Sequence, residues 1–135
     1  QYLDDLIEHS RKVDITYREC LQDVPGIKFP PKLHETVAYN YNYEPVEIVE
    51  NEFGMNRNML YETIKKYNIN LRRYFYPLLC DFSCYKHIEF KDPLTVARQI
   101  ATKIICLPTY KDLEVDDVIH ICEIIAFLHK HSKFQ

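Results

Sequence analysis

The sequence predicts one mixed α/β domain of the α+β type, a small and mainly antiparallel sheet packed with about four helices. Three observations predict it. Amphipathic runs at helical spacing alternate along the chain with short extended runs. At 135 residues the chain fits a single domain with a real but modest core. Hydrophobic periodicity runs throughout, without a low-complexity tract or an internal repeat.

Residues 1–26 predict a long leading helix and its stop. Leu3, Leu6, Ile7, Val13, Tyr17, Cys20, Leu21 and Val24 recur at three- and four-residue steps, and Pro25-Gly26 ends the run. The stripe is longer than a small domain needs to cover. Its outer end is expected to pack on something outside this chain, and a start at Gln1 directly into a helical pattern predicts a piece of a longer polypeptide. Ile27-Lys28-Phe29 reads as a short extended piece before Pro30-Pro31. Val37 to Val49 then alternates, with Tyr39, Tyr41 and Tyr43 on one face and Asn40 and Asn42 on the other. The apolar phase shifts after Pro45, so a long bent strand is predicted, with a bulge or an edge position at the proline. The tyrosines read as sheet packing, which leaves Asn40 and Asn42 to meet a ligand or a neighbouring domain.

Asn51 to Met55 reads as a turn, after which Asn56 or Asn58 caps a helix with a buried stripe of Leu60, Ile64 and Tyr67. Asn68 stands where a left-handed cap is wanted. Cys80 to Phe90 is irregular, and Asp92-Pro93 opens a helix through Leu94, Ala97, Ile100 and Ile104. Ile105 to Pro108 is a short extended segment and Thr109 to Leu113 a loop. The last helix carries Val115, Val118, Ile119, Cys122, Ile125 and Ala126, with Asp116 and Asp117 at its positive end and Lys130 and His131 at the other. His129 and His131 read as a solvated helix end.

Composition narrows the function classes. A net charge of −3 and a pI near 6.1 leave no electrostatic drive toward nucleic acid or anionic membrane. No apolar run approaches the ~20 residues of a membrane span, and a cytoplasmic setting is expected. The five cysteines, Cys20, Cys80, Cys84, Cys106 and Cys122, are odd in number and scattered, which predicts reduced thiols. Cys80, Cys84 and His87 are close enough to suggest a metal but have no second ligand pair, so no metal site is predicted. Two glycines in the whole chain exclude a glycine-rich phosphate loop.

The candidate site is Ile69-Asn70-Leu71-Arg72-Arg73-Tyr74-Phe75-Tyr76-Pro77-Leu78-Leu79. As an extended strand it points Ile69, Leu71, Arg73 and Phe75 one way and Asn70, Arg72, Tyr74 and Tyr76 the other. A cation flanked by phenols on one surface suits an anion attached to a polar ring. An edge strand with exposed arginines and half-buried tyrosines is the structural alternative. A nucleic-acid stacking strand would want glycines that this segment lacks.

Three segments in this order resemble one family. They are Arg18-Glu19-Cys20-Leu21-Gln22-Asp23-Val24-Pro25-Gly26-Ile27, Asn68 to Leu78, and Cys106-Leu107-Pro108-Thr109-Tyr110-Lys111-Asp112-Leu113. Together they resemble the C-terminal part of the sugar-nucleotide aminotransferases of the DegT/DnrJ/StrS type. The resemblance covers essentially the whole chain but only the last part of a full-length member. It implies that residues 1–135 are the small C-terminal domain of a fold-type I aminotransferase, without the large domain that carries pyridoxal phosphate on a lysine. It further implies a homodimeric parent that moves an amino group from an amino acid such as glutamate to a keto carbon of a nucleotide-linked deoxysugar.

No stretch resembles the cofactor-lysine segment, or the aspartate and histidine that support the pyridine ring. The chain alone is therefore expected to be inactive, with no catalytic residue of its own, and not to bind the cofactor. The resemblance gives Arg72 the role of pairing with a carboxylate or phosphate, and gives Tyr74 and Tyr76 contacts to the sugar nucleotide. Departures stand at Asn68, commonly glycine in relatives, and at Tyr74 and Cys80, both often histidine. The rival reading is a free-standing binding or assembly module that keeps the fold without the chemistry. An in-frame large domain encoded upstream would separate the two.

Overall fold

The computed structural model describes residues 2–34, 36–89 and 91–132; Gln1 and Phe90, which end two of the predicted segments, lie outside them. Helix α1 spans Tyr2–Leu21, with Asp4 and Asp5 in its first turn and Arg18 in its last, each at the dipole end that favours it. Val13, Tyr17 and Leu21, four residues apart, form its buried line. Tyr2 and Leu3 remain exposed, so the apolar stripe is covered only over its second half. The helix stops at Leu21, three residues before the predicted Val24. Gly26 then turns at φ 81°, where a Cβ would collide with the backbone of Phe53, so only glycine serves there.

Three strands follow: β1 (Ile27–Lys28), β2 (Glu44–Ile48) and β3 (Ile104–Leu107). They form one antiparallel sheet in the order β1-β2-β3, with Ile27 opposite Ile48 and Val46 opposite Ile105. The long strand expected from Val37 to Val49 is thus cut to its last residues. The reason lies in its partner. Glu44 faces Leu107, and the next residue of the partner is Pro108, which has no N–H to continue the ladder. Upstream of Glu44 the chain bends, with Tyr41 at φ 51°.

Pro45 occupies the central strand, not an edge. Cys106, opposite it, spends both its backbone N–H and C=O on Arg72, so Pro45 turns its backbone toward the other side of the sheet. There β1 reaches only as far as Glu47, and no donor is required of the proline.

The short helix α2 (Glu50–Phe53) replaces the predicted turn and ends on Gly54 at φ 94°. In α3 (Arg57–Ile64) the Asn56 side chain accepts from the Met59 N–H, as capping requires. Its buried line is Arg57, Leu60 and Ile64, whereas Tyr67 falls in a following 3-10 turn and is exposed. Asn68 closes that turn at φ 60°, ψ 26°. The Cys80 segment holds two further 3-10 turns, and α4 (Thr95–Lys103) then leads into β3.

The last helix, α5 (Val115–Ser132), packs along α1. Val13, Tyr17 and Leu21 share one core with Val46, Ile48, Ile105, Val118, Ile121 and Ile125. His129 is buried, not solvated. Its Nδ1 donates to the Phe53 carbonyl at 2.9 Å, a group that the end of α2 leaves unpaired. No helix among the described residues is long and apolar enough to cross a membrane.

Candidate functional site

Asn68 turns the chain out of α3 into an extended segment along the outer side of β3. Arg72 pins that segment by two backbone bonds to Cys106, its N–H at 3.1 Å from the Cys106 carbonyl and its own carbonyl at 2.7 Å from the Cys106 N–H. Ile69 and Leu71 are buried by this pairing, and the alternation leaves Asn70 and Arg72 exposed between them. A cleft of about 880 Å³ opens here. Asn42, Asn70, Arg72, Tyr110, Asp117 and His120 are among the polar groups on its walls.

Five separate stretches of chain build this cleft: residues 42–43, Tyr61 of α3, residues 68–72, the end of β3 with the loop to Leu113, and the first turns of α5. Two side-chain bonds hold the walls together. The Thr109 hydroxyl donates to the Asn42 carbonyl at 3.1 Å, and the buried Tyr17 hydroxyl of α1 donates to the Pro108 carbonyl at 3.1 Å.

The predicted residues separate. Arg72 lines the cleft. Tyr74 stands beside it at the rim, its ring 4.8 Å from that of Tyr43, which is itself a lining residue. A hydrogen bond with Tyr43 is the first cause that raises the Tyr74 phenol, followed by burial, and the Arg72 cation works against both. Tyr76 leaves the predicted face: its ring meets the guanidinium groups of Arg57 at 4.9 Å and Arg73 at 4.8 Å. Strand alternation cannot carry it there, because Arg72–Cys106 is an isolated bridge and the chain turns after Arg73. Asn40 is exposed outside the cleft wall, where its side chain accepts from the Asn42 N–H at 3.1 Å. Asn42 is the asparagine of that segment that reaches the cleft.

Arg73 is occupied elsewhere, over the Tyr61 ring at 4.3 Å and bonded to Asn58 at 3.3 Å. The sequence singles out Asn42 with Asn40 for contact with a ligand or a neighbouring domain; Asn70, Tyr110, Asp117 and His120 are among the cleft residues outside the prediction. Asn70 had a signal, since it shares the Arg72 phase, and Tyr110 lies in the third quoted segment. Asp117 and His120 had none, since each reads equally well as an exposed helix residue.

The cleft carries amides, phenols, a guanidinium, a carboxylate and an imidazole on its walls. Its one thiol, Cys106, is pushed up to about 11, by burial first and the Glu44 carboxyl second, so it is not a thiolate near neutrality. Among the described lining residues none is lysine, so the cleft does not fit a cofactor that must be held as a Schiff base. Among the described residues no cluster of three or more His, Cys, Asp or Glu is placed to hold a metal. Cys80 instead meets Arg98 at 3.4 Å.

Comparison with known proteins bears on the family and the fold. The DegT/DnrJ/EryC1/StrS aminotransferase family profile matches residues 1–126. The chain is 34% identical over 127 residues to dTDP-4-amino-4,6-dideoxy-D-glucose transaminase of Escherichia coli, covering 93% of this chain and 34% of that protein. The Shigella dysenteriae transaminase of the same name is 32% identical over 125 residues, with the same coverage. Among solved structures, DesI in the presence of its TDP-sugar product superposes with a TM-score of 0.85 at 25% identity, over 97% of this chain and 33% of that one. The Helicobacter pylori aminotransferase PseC shares the fold, with a TM-score of 0.76 at 17% identity over 92% of this chain and 33% of its own. The chain thus spans about a third of the length of the curated relatives it matches, and it belongs to the DegT/DnrJ/EryC1/StrS aminotransferase family.

Proposed function

We propose that this chain is the C-terminal small domain of a pyridoxal-phosphate-dependent sugar-nucleotide aminotransferase, and that the cleft beside Arg72 supplies one wall of its substrate pocket. The observation that carries the reading is the junction of Arg72, Asn70 and the loop through Tyr110 in one polar cleft, in a chain related over 93% of its length to a sugar-nucleotide transaminase. In the complete enzyme the cofactor supplies the electron sink for amino transfer. The residues here do not fit that cofactor, so its lysine and its ring contacts belong to the part of the enzyme outside this chain.

This domain's own share is recognition. The planar fork of Arg72 donates to a phosphate or carboxylate of the substrate, in a geometry that a lysine cannot reproduce. The amides of Asn42 and Asn70 and the hydroxyl of Tyr110 offer both donors and acceptors, which suit the hydroxyls of a sugar. The Tyr43–Tyr74 pair at the rim gives a face against which a planar ring can stack. Phe75, Leu79, Val96 and Ile100 form exposed apolar surface beyond the cleft. Such surface is suited to cover by the large domain or by a second subunit of a homo-oligomer.

Arg72→Ala in the full-length enzyme is the test. It is expected to raise the KM for the nucleotide sugar or cut turnover by at least ~10-fold, as loss of a charge-assisted pair does. Kinetics unchanged from wild type would remove Arg72 from the substrate pocket. If the coding sequence upstream of Gln1 lacks an in-frame large domain, the non-catalytic module replaces the enzyme reading.

A further inference from the structure

We infer that Asp117 is a specificity-determining residue of the cleft. Its carboxylate accepts from sugar hydroxyls and turns phosphate away, so a glycosyl phosphate lies with its phosphate at Arg72 and its sugar against α5. This rests on the reading of the cleft as one wall of a nucleotide-sugar pocket. On α5 the lining residues His120 and Ile121 stand three and four residues after Asp117, as one face of a helix requires. Asp116, one position earlier, is turned about 100° around the helix and is not part of the wall. Both carboxylates meet the positive end of the helix dipole, but only Asp117 lines the cleft.

The cleft is polarised. Arg72 and Asp117 line it from two different stretches of chain, and among the described residues neither side chain makes an ion pair or a hydrogen bond, with the other or with any third group. Two opposite charges that share a cavity of about 880 Å³ without pairing leave their donors and acceptors to a ligand. Neighbouring charges reinforce each end. The Arg73 guanidinium and Lys65 Nζ lie over the ring of Tyr61, another lining residue, at 4.3 and 4.0 Å. Around Asp117 the chain carries Asp112, Glu114 and Asp116, all exposed, while Lys111 is drawn over the Tyr2 ring at 5.4 Å. His120 does not neutralise this end, because its Nδ1 turns to Glu123 Oε2 at 3.6 Å.

A guanidinium only donates and a carboxylate only accepts, so the two ends of the cleft call for different groups. Phosphate oxygens are charged acceptors; they pair with the fork of Arg72 and are repelled at Asp117. Adjacent sugar hydroxyls are donors, and the two oxygens of one carboxylate accept from both. Asp117 thereby favours one orientation of the ligand and penalises the reverse.

The experiment measures the binding of dTDP-glucose and of dTDP to the full-length protein, since the two share a nucleoside and a diphosphate and differ in the sugar. Asp117→Asn is expected to weaken dTDP-glucose by about 5–10-fold, as loss of hydrogen bonds to a charged group does. In the same variant dTDP is expected to bind as tightly as to wild type, or more tightly. Asp116→Asn removes the same charge from the same helix turn and is expected to change neither, with a thermal midpoint equal to that of Asp117→Asn. Equal weakening of both ligands by Asp117→Asn overturns the proposal, as does no change in either or the same selective loss in Asp116→Asn. Arg72→Ala separates this inference from the reading beneath it. If Arg72→Ala weakens both ligands while Asp117→Asn is silent, the role of Asp117 alone is lost; if Arg72→Ala affects neither, the pocket itself is lost.

Discussion

Glu44 lies on the inner face of the central strand, 2% exposed, with its Oε1 3.9 Å from Arg18 Nη2. Arg18 turns its Nε to Asp14 instead, at 2.9 Å. Burial first, and a hydrogen bond with Asp14 second, push the Glu44 carboxyl up to about 9 against the opposing pull of Arg18. The folded state therefore keeps a proton that the unfolded chain releases above the ordinary value of 4.5. Between those two values the folded protein binds more protons, so stability falls as pH rises, by up to about 1.4 kcal/mol per pH unit for one full proton. Glu44→Gln, which keeps the hydrogen bond to Asp14 without a titrating group, is expected to match wild type near pH 5 and to exceed it increasingly toward pH 9. Thermal unfolding across that range checks it, and parallel curves for the two proteins would mean that Glu44 is ionised when folded. Sequence alone gives no hint of this pair. Glu44 reads as one more polar residue beside Tyr43 until α1 is laid across it.

At the scale of elements, α3 shows how much of a pattern is legible and where reading by residue type misleads. Its line of Arg57, Leu60 and Ile64 has helical spacing, and Asn56 before it is a recognisable cap. Arg57 belongs to that line but is discounted as a charge, since arginines are rarely fully buried without partners. The partners come from far along the chain. Nη2 donates to the Ala101 carbonyl at 2.8 Å and Nη1 to the Ile104 carbonyl at 3.3 Å, which satisfies acceptors that the end of α4 cannot pair. The Tyr76 ring covers the same guanidinium. Arg57→Leu is expected to destabilise the domain by about 2–4 kcal/mol through the carbonyls left unpaired, with Arg57→Lys recovering only part because it lacks the fork. Urea unfolding measures both; a neutral leucine variant would mean that water replaces the guanidinium. The strand predicted from Val37 fails for a related reason. Alternation describes a residue's readiness to pair, but the partner strand decides how far pairing runs, and here Pro108 ends it.

For the whole molecule, the fold class was legible because helical and extended periodicities are local properties, and each element forms near its own pattern. The cleft was legible only in part. Arg72 and Asn70 share a phase that can be read along one segment, whereas Asp117 and His120 reach them only because α5 packs back across the sheet beside α1. The same long-range closure leaves the cleft without a lysine among its described lining residues. Adding pyridoxal phosphate to this chain alone is therefore expected to produce no stable Schiff-base absorbance near the cleft. A persistent band that resists dialysis and disappears on borohydride reduction would contradict that expectation.

By itself, the sequence determined the alternation of helices and strands, an asparagine cap at Asn56 or Asn58, the left-handed cap at Asn68, a stop to α1 by Pro25-Gly26, and the choice of Arg72 over Arg73 as the cation on the polar face. These follow from dihedral preferences and side-chain periodicity, which act over a few residues. Only the tertiary structure decided that Tyr76 leaves that face for Arg57 and that His129 is buried against Phe53. Those outcomes depend on which distant backbone groups lack partners and on which surfaces meet when α1 and α5 close on the sheet, and neither is encoded in any short stretch of chain.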